Sequence, residues 1–334
     1  MRKIIFILFV ALMTAVSTQA QQISVVLPDG TTSLHRTLPE AIKAANVDGS
    51  VIYLPGGGFP IPDDSGIHKK VTIIGIGHKS DSDNADGVTT ISGNLWFDKG
   101  SSGSAVMACY ITGNVNIGND GSEVNDVLIR YCNLNSVQVN NSTCLGTMVN
   151  QNFVRGSSNF GESNAIVKNN VLHSIGFVNG GYIISNVILN GFNNYSEFAH
   201  IEYSGIYANS TIIKYNIIPC KNESPGAYYY RILRGNNNTI DTNMCRSETG
   251  DNPITIGDTA WEELFKNYSG ISAASNFHFS DEYKQYEGKV GIYTGSGFND
   301  DQLAPVPYIT FKSIPDQTDA SGKLNIQIRV KAGK

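Results

Sequence analysis

Val149-Asn-Gln-Asn152-Phe153 and Val167-Lys-Asn-Asn170-Val171 are two copies of the motif that decides the fold of this chain. Each copy is an aliphatic residue followed at a fixed offset by asparagine and a second apolar residue. Four further copies lie at residues 129–134, 184–187, 213–217 and 240–244; the first of these has one extra residue and the second has one fewer. A short apolar unit that recurs along a chain predicts a solenoid, in which successive coils stack on one another.

The asparagines of the motif are the informative residues. They are residues 133, 152, 170, 186, 216 and 243, at intervals of 19, 18, 16, 30 and 27. The amide of asparagine carries both donors and an acceptor, so asparagines stacked in register can hydrogen-bond to those above and below. We therefore predict an inward or turn-stacked ladder that holds the coils in register, and we assign these asparagines no functional role.

The first twenty residues have the features of a secretory signal peptide. Met1-Arg2-Lys3 is positive, residues 4–16 are apolar, and Ser17-Thr-Gln-Ala20 is a small, polar cleavage region. A membrane anchor is the weaker alternative, because spanning a bilayer takes ~20 apolar residues. We predict an exported protein, in the periplasm, at the cell surface or outside the cell, with no transmembrane segment in the mature chain.

Composition excludes one class of partner. Charged residues make up 16% of the chain, the formal net charge is −5, and the pI is about 5.7. Nucleic acid is therefore a poor candidate, because no basic stripe is present. Thirty-four glycines indicate many tight turns, as stacked sheet proteins have.

The five cysteines are residues 109, 132, 144, 220 and 245, and an odd count leaves at least one unpaired within the chain. Cys109 and Cys132 lie in apolar runs one coil apart, so we predict free buried thiols at both positions. No CxxC or Cys/His spacing supports a metal site, and we predict none.

A capped helix and three apolar strands open the mature chain. Thr37-Leu-Pro-Glu40 fits a capping box, and Asp48-Gly49 ends the helix. Short strands follow at Ser50-Val-Ile-Tyr-Leu54, Val71-Thr-Ile-Ile-Gly75 and Thr89-Thr-Ile-Ser-Gly93. This run resembles the opening of right-handed parallel β-helix proteins of the pectate-lyase-like (pectin lyase fold) superfamily, of the exported bacterial and Gram-negative type, in which the helix caps the first coil.

The repeat and the resemblance together predict an all-β protein. Residues 22–255 would form a right-handed parallel β-helix with an N-terminal capping helix. Residues 256–334 would form a small β-rich C-terminal extension, with a second capping box at Thr259-Ala-Trp-Glu262, strands at 277–279 and 289–294, and a final alternating strand at 324–330.

Enzymes of this superfamily cleave acidic polysaccharides, which implies a base and a cation, commonly Ca²⁺ held by carboxylates. No pair of Asp or Glu residues recurs at coil spacing, so a lyase or hydrolase site is not visible. Asp81, Asp83 and Asp86 lie in a calcium-like loop, but the spacing fails the EF-hand pattern and a polar turn is the better interpretation.

One outward column of the coils carries charge. Arg130, Lys168 and Lys214 directly follow the first aliphatic residue of the motif, where Asn150, Ser185 and Asp241 also fall. Side chains alternate across a strand, so this position points outward. Two interpretations stay open: a shallow groove for an anionic glycan, in which Lys168 and Lys214 bind, or an ordinary solvated sheet face.

The two long intervals predict loops at roughly residues 191–210 and 219–238, where binding residues are often found. Tyrosines with nearby His, Glu and Arg suit carbohydrate, because aromatic faces stack on sugar C–H surfaces while polar neighbours bind hydroxyls. The alternative is that the tyrosines only pack the loops on the stack. The candidate binding residues are Tyr195, Phe198, His200, Glu202, Tyr203 and Tyr207 in the first loop, and Glu223, Tyr228, Tyr229, Tyr230, Arg231 and Arg234 in the second.

Three functions follow from these features. The first is an exported protein that binds a polysaccharide through the loop surface. The second is an active polysaccharide lyase or glycoside hydrolase whose catalytic residues come from different coils. The third is a structural or adhesive surface protein, for which the rod and the final strand would be the purpose.

Overall fold

The computed structural model describes residues 22–79, 87–189, 192–194, 202–218, 233–245, 250–257, 259–295, 297–315, 317–318 and 321–332. The segment predicted as a signal peptide, the acidic loop with Asp81, Asp83 and Asp86, and Cys220 lie outside these residues. Within the described chain, no helix is both long enough and apolar enough to span a membrane.

Two long sheets dominate the molecule. The first has eleven strands, which are parallel except at its N-terminal end, where Ile23–Val26 pairs antiparallel with both neighbours. In spatial order, its strands are Thr32–His35, Ile23–Val26, Ser50–Tyr53, Val71–Ile74, Ala105–Met107, Leu128–Arg130, Thr147–Asn150, Ala165–Lys168, Tyr182–Ile184, Ile212–Lys214 and Thr239–Asp241.

The second sheet has fifteen strands, and all of its pairings are parallel. Its main path runs through Gly57–Pro60, Thr89–Ser92, Tyr110–Ile111, Asn133–Leu134, Phe153–Ser163, Val171–Asn179, Val187–Ile188, Ile217–Ile218, Met244–Cys245 and Ile254–Thr255. A branch runs beside it through Leu95–Phe97, Val115–Ile117, Val137–Val139, the later parts of the two long strands, Ile206–Asn209 and Leu233–Arg234.

The chain visits the sheets in turn, so each passage adds one strand to the first sheet and one or two to the second. Side chains alternate between the two faces of the first sheet, and one face points into the stack. Five residues in register on this inner face are fully buried: Ile129, Val149, Val167, Ile183 and Ile213. Each such burial contributes about 1.5–3 kcal/mol. Long parallel sheets built by successive passages are compatible with the predicted β-helix.

The asparagine ladder is present as predicted. The Nδ2 of Asn152, Asn170, Asn186 and Asn216 each donates to the Oδ1 of the next asparagine at 3.0 Å, ending at Asn243. The same Oδ1 atoms accept the backbone N–H of the preceding asparagine at 2.9–3.0 Å. All five side chains are almost completely buried. The ladder therefore satisfies polar groups that the turn would otherwise leave unpaired in the core.

The prediction that Asn133 begins this ladder was wrong. The residue in register is Cys132, whose backbone N–H donates to Oδ1 of Asn152 at 2.8 Å. Asn133 instead pairs with Phe153, one position later, where side chains point away from the core. The extra residue in this copy therefore moves Asn133 one position past the ladder. A shift of one residue along a strand reverses the side on which a side chain lies.

Cys109, Cys132 and Cys144 are free and buried, and Cys245 is also buried. This confirms the prediction for Cys109 and Cys132. Burial raises the pKa of the Cys132 thiol to about 12, so this thiol stays protonated and behaves as a small apolar core residue.

The predicted N-terminal helix spans Leu38–Ala44. Its capping box is formed by Thr37 and Glu40, each of which binds the other's backbone N–H at 3.3 Å. Leu38 and Ala41 are fully buried in the main core, and the helix contacts the first two strands of the chain.

The C-terminal region covers the outer side of the second sheet. The second apolar residue of five of the six motif copies points outward there and forms a separate apolar cluster with residues 264–298, whereas Leu134 of the first copy lies in the main core. Its sheet members are Phe153, Val171, Val187, Ile217 and Met244, and its C-terminal members include Leu264, Phe265, Phe277, Phe279, Val290 and Ile292. The motif therefore builds two cores, one inside the stack and one beneath the C-terminal region.

The elements of this region differ in part from the predicted ones. The helix Trp261–Leu264 is capped from Ala260 by Glu263, one residue later than predicted, because the Thr259 hydroxyl donates to the Ile256 carbonyl instead. Residues 289–294 form turns, and the predicted strand there was wrong. The other elements of this region are strands Phe265–Asn267, Asn276–Phe279, Tyr308–Ser313 and Gln327–Lys331, with a short 3₁₀ helix at Lys284–Tyr286. A second short 3₁₀ helix, Asn119–Gly121, lies in the stack.

Polar contacts tie residues 291–302 to the turn between the two sheets. Nδ2 of Asn169 donates to the carbonyls of Ile292 at 2.7 Å and Thr294 at 3.0 Å. Oε1 of Gln151 accepts the backbone N–H of Asn299 at 2.6 Å. We call residues 291–304 the strap, because this segment crosses several coils.

Candidate functional site

Four of the twelve predicted loop residues lie within the described chain, namely Glu202, Tyr203, Tyr207 and Arg234. Tyr195, Phe198, His200, Glu223, Tyr228, Tyr229, Tyr230 and Arg231 lie outside the described residues. Glu202 and Tyr203 lie in a strand that pairs with Phe192–Asn194, and Arg234 lies in the branch of the second sheet.

The two loops rejoin the stack at adjacent strands, and both end earlier than the predicted bounds 191–210 and 219–238. The first loop ends before Ile206–Asn209 and the second ends before Leu233–Arg234, and these two strands pair in parallel, with Tyr207 opposite Arg234. The small hairpin within the first loop also contacts the long strand Val171–Asn179. Both loops therefore rejoin the stack in this branch.

An uncharged polar row runs along the outer side of this branch. Trp96, Asn116, Gln138 and Asn159 are paired in parallel register from one coil to the next. In the first three strands both flanking side chains are buried: Leu95 and Phe97, Val115 and Ile117, Val137 and Val139. Because side chains alternate along a strand, the central residue faces outward. We call these four residues, with Phe177 and Tyr207, the amide row.

Two aromatic rings close the row on the side of the loops. Asn159 pairs with Gly176, and the next residue, Phe177, has a positive φ of 59° at an irregularity between the paired strands. Its ring meets that of Tyr207 edge to face, with centroids 4.8 Å apart. With one coil per ~4.8 Å, the row from Trp96 to Tyr207 extends for about 24 Å over five coil steps.

The amides of the row keep hydrogen-bonding capacity. Nε2 of Gln138 donates to Oγ of Ser136 at 2.8 Å and to the Ser157 carbonyl at 3.1 Å, which directs the side chain. Within the described part of the chain, Nδ2 of Asn116 and Nε1 of Trp96 are buried without a hydrogen-bond partner. An unpaired buried donor costs about 1–3 kcal/mol. Since both atoms are buried, a ligand hydroxyl would reach them only if the side chains of the row rearranged.

A hydroxyl and imidazole cluster lies beside the row. Nδ1 of His173 is 3.3 Å from Oγ of Ser157 and from Oγ of Ser174, and the Ser174 hydroxyl donates to that of Ser157 at 2.9 Å. Burial lowers the pKa of His173, so this imidazole is neutral near pH 7. Neutral rings and hydroxyls can both donate and accept, which extends the polar surface without adding charge.

The charged column of the first sheet is only partly as predicted. Arg130, Asn150, Lys168, Lys214 and Asp241 share it, but Ser185 does not. Ile184 occupies that place, because Ser185 adopts the left-handed turn conformation with φ of 59° and lies in the corner between the sheets.

Most of the charge in this column is engaged within the protein. Nζ of Lys214 is 3.0 Å from the Asp241 carboxylate, and Arg130 stacks on the Tyr131 ring at 4.3 Å. Hydrogen bonds from Asn252 and Lys214 lower the pKa of Asp241 to about 2, so the ion pair persists across the physiological range. The column is therefore a weak candidate for binding an anionic glycan.

Metal binding has little support in the described residues, which contain no group of three or more His, Cys, Asp or Glu side chains placed to hold an ion. The amide row was missed at the sequence level, although a signal for it exists. Trp96, Asn116, Gln138 and Asn159 are 20, 22 and 21 residues apart, and the first three each stand between two apolar residues.

No family model, no curated protein and no solved structure matches this chain.

Proposed function

We propose that this protein is an exported right-handed parallel β-helix of the pectate-lyase-like type, capped by the helix Leu38–Ala44, that binds a polysaccharide along the amide row. The observation that carries the proposal is the row itself: three outward amides in register, with aromatic side chains at both ends.

Amides and aromatic rings are the side chains that neutral sugars require. An amide binds a pair of hydroxyls through one donor and one acceptor, while a ring face covers the apolar C–H surface of a pyranose. One coil rise is close to the length of one hexose in an extended glycan. Because the row repeats once per coil, an extended chain could contact it at successive sugar units, which favours an extended chain over a small free sugar.

The ligand is expected to be neutral. The six members of the amide row are uncharged, and His173 beside them is held neutral by burial. A uronate polymer would have to leave its carboxylates without a cationic partner in this surface, at a cost in desolvation. This argument separates the proposal from a pectate lyase, whose substrate is acidic.

Replacing Trp96 or Tyr207 by alanine is expected to weaken polysaccharide binding about tenfold or more, because a lost aromatic contact costs about 1.4 kcal/mol. The measurement is calorimetric titration of the purified chain with a panel of neutral and acidic polysaccharides. Tyr182→Ala is the matched control, since Tyr182 is an exposed tyrosine on the first sheet, outside the row.

Three results would count against the proposal: no binding to any neutral glycan, binding only to acidic glycans, or an equal loss in the Tyr182 variant. The same incubations are assayed for new reducing ends and unsaturated products. Their release would show that the protein is a hydrolase or a lyase rather than a binding protein.

A further inference from the structure

The branch of the second sheet continues by one coil beyond Trp96. Ile67 forms an isolated parallel bridge with Phe97. The backbone N–H of Ile67 donates to the Trp96 carbonyl at 2.8 Å, and its carbonyl accepts the N–H of Asp98 at 2.9 Å. This register sets Gly66 beside Trp96, one coil step of ~4.8 Å away. The amide row therefore leads to Gly66 at the N-terminal end of the stack.

A cavity of about 350 Å³ lies at this end of the row. Its wall comes from two segments, residues 39–46 of the capping helix and its C-terminal end, and residues 64–71, which include Gly66. At ~30 Å³ for each water molecule, this volume equals about twelve waters, and a hexose has about twelve non-hydrogen atoms. The polar and charged side chains of the wall are Lys43, Asn46, Asp64, Ser65, His68 and Lys69.

Gly66 allows two polar side chains to approach the wall of this cavity. A Cβ at this position would clash with Oδ2 of Asp98 and Nε2 of His68. The φ of Gly66 is not positive, so the space, and not the backbone conformation, requires glycine here. Burial raises the pKa of the Asp98 carboxyl. A cavity with a few polar groups and a perturbed carboxyl beside it is the usual form of a small-molecule site.

The cavity differs from the row in charge. Lys43 and Lys69 in the wall are positive, while Asp64 in the wall and the adjoining Asp98 are negative. The charges of these four groups balance, so the cavity does not call for a charged ligand. Ionised groups form stronger hydrogen bonds to hydroxyls than neutral groups do. A sugar unit at the end of a glycan has one more free hydroxyl than a unit within the chain, so the end unit gains most from these groups.

The capping helix limits the row on this side. The helix contacts the two strands at the N-terminal end of the first sheet, and it supplies part of the cavity wall. A glycan that lies along the row and passes Trp96 therefore meets the helix at the cavity.

We propose that this cavity holds the terminal sugar unit of the neutral polysaccharide whose following units lie along the amide row. The inference rests on the proposed polysaccharide binding and adds a preference to it: the protein binds the ends of glycan chains rather than their interiors. The cavity selects the end unit, and the row binds the units next to it.

The number of protein molecules bound per glycan chain tests the proposal. The probes are a linear glucan, a linear xylan and a linear mannan, each in fractions of about 10, 20 and 40 sugar units, which are longer than the row of about 24 Å. Calorimetric titration of the full chain gives the stoichiometry. End binding is expected to give the same number of protein molecules per chain at all three lengths. Binding along the chain interior would give a number that rises with length.

A variant that fills the cavity provides the second measurement. Ser65→Trp is expected to weaken binding to the ten-unit fraction about tenfold, because the end unit loses its hydrogen bonds. Ser313→Trp is the matched control, since Ser313 is an exposed serine in the C-terminal strand Tyr308–Ser313. His68→Ala removes one polar group without adding bulk and is expected to weaken binding in the same direction. Circular dichroism reports whether each variant folds.

Two outcomes overturn this inference and leave the proposed function in place. The first is a stoichiometry that rises in proportion to chain length. The second is unchanged affinity in both folded variants, Ser65→Trp and His68→Ala. If the wild-type chain binds none of the glycans, the proposed function fails, and the inference fails with it.

Discussion

Replacing Asn186 by alanine is expected to lower the free energy of unfolding by about 3–6 kcal/mol, the largest effect of any single change considered for this chain. Asn186 stands in the middle of the ladder. Its Nδ2 donates to Oδ1 of Asn216 at 3.0 Å and to the Val167 carbonyl at 2.8 Å, and its Oδ1 accepts two bonds from Asn170, both at 3.0 Å. Truncation leaves these partners buried and unpaired, and each unpaired group costs about 1–3 kcal/mol.

The measurement is urea unfolding of the wild-type and variant chains, followed by circular dichroism. Asn133→Ala is the matched control, because Asn133 belongs to the same sequence motif but lies outside the ladder, and its Oδ1 has no hydrogen-bond partner among the described residues. Asn133→Ala is expected to cost far less than Asn186→Ala. Equal losses in the two variants would contradict the assigned register.

Acidification is expected to destabilise the protein through His78. Burial lowers the pKa of His78 from 6.5 to about 4, while Nε2 lies 3.4 Å from Oε1 of Gln302 in the strap. The ring also meets Phe153 edge to face at 5.8 Å. The neutral imidazole therefore belongs to the contact between the strap and the stack.

The sign follows from proton binding. Between pH 6.5 and about 4, the unfolded chain binds a proton at this site and the folded chain does not, so stability falls as the pH falls. Above pH 6.5, His78 is neutral in both the folded and the unfolded chain, and the free energy of unfolding is not lowered by its protonation. By pH 4, protonation of the unfolded chain at this site has lowered the free energy of unfolding by about 3 kcal/mol.

The experiment compares urea unfolding of the wild-type chain and His78→Leu at several values between pH 7.5 and 4.5. Leucine cannot titrate, so the difference in stability between the two chains should shift in favour of the variant as the pH falls. Groups that are present in both chains affect both stabilities equally, so their effects cancel in the difference. His173, whose pKa is also lowered by burial, is one of these groups. A difference that stays constant over this range would show that His78 is not the titrating group.

The ladder and the amide row show how far the sequence could predict this protein. Asn152, Asn170, Asn186, Asn216 and Asn243 were predicted correctly, because in these copies the asparagine keeps its place directly before the second apolar residue. Asn133 also keeps that place, but its copy has one extra residue, and the pairing of strands shows that this residue moves Asn133 out of the ladder. Likewise, Trp96, Asn116, Gln138 and Asn159 are ordinary polar and aromatic residues until parallel pairing aligns them.

By itself, the sequence determined the elements that depend on local chemistry. These are the capped helix at Leu38–Ala44, the short apolar strands, the asparagine repeat and the free buried thiols at Cys109 and Cys132. Each follows from side-chain size, hydrogen-bonding groups or alternation within a few residues.

Only the tertiary structure decided which side chains share a surface. It buried Phe153 and Val171 beneath the C-terminal region, placed Ile184 instead of Ser185 in the charged column, and aligned the amide row. The physical reason is that these surfaces are built across coils about 20 residues apart. Their register depends on every hydrogen bond between neighbouring strands, and one inserted residue reverses which side chains face outward.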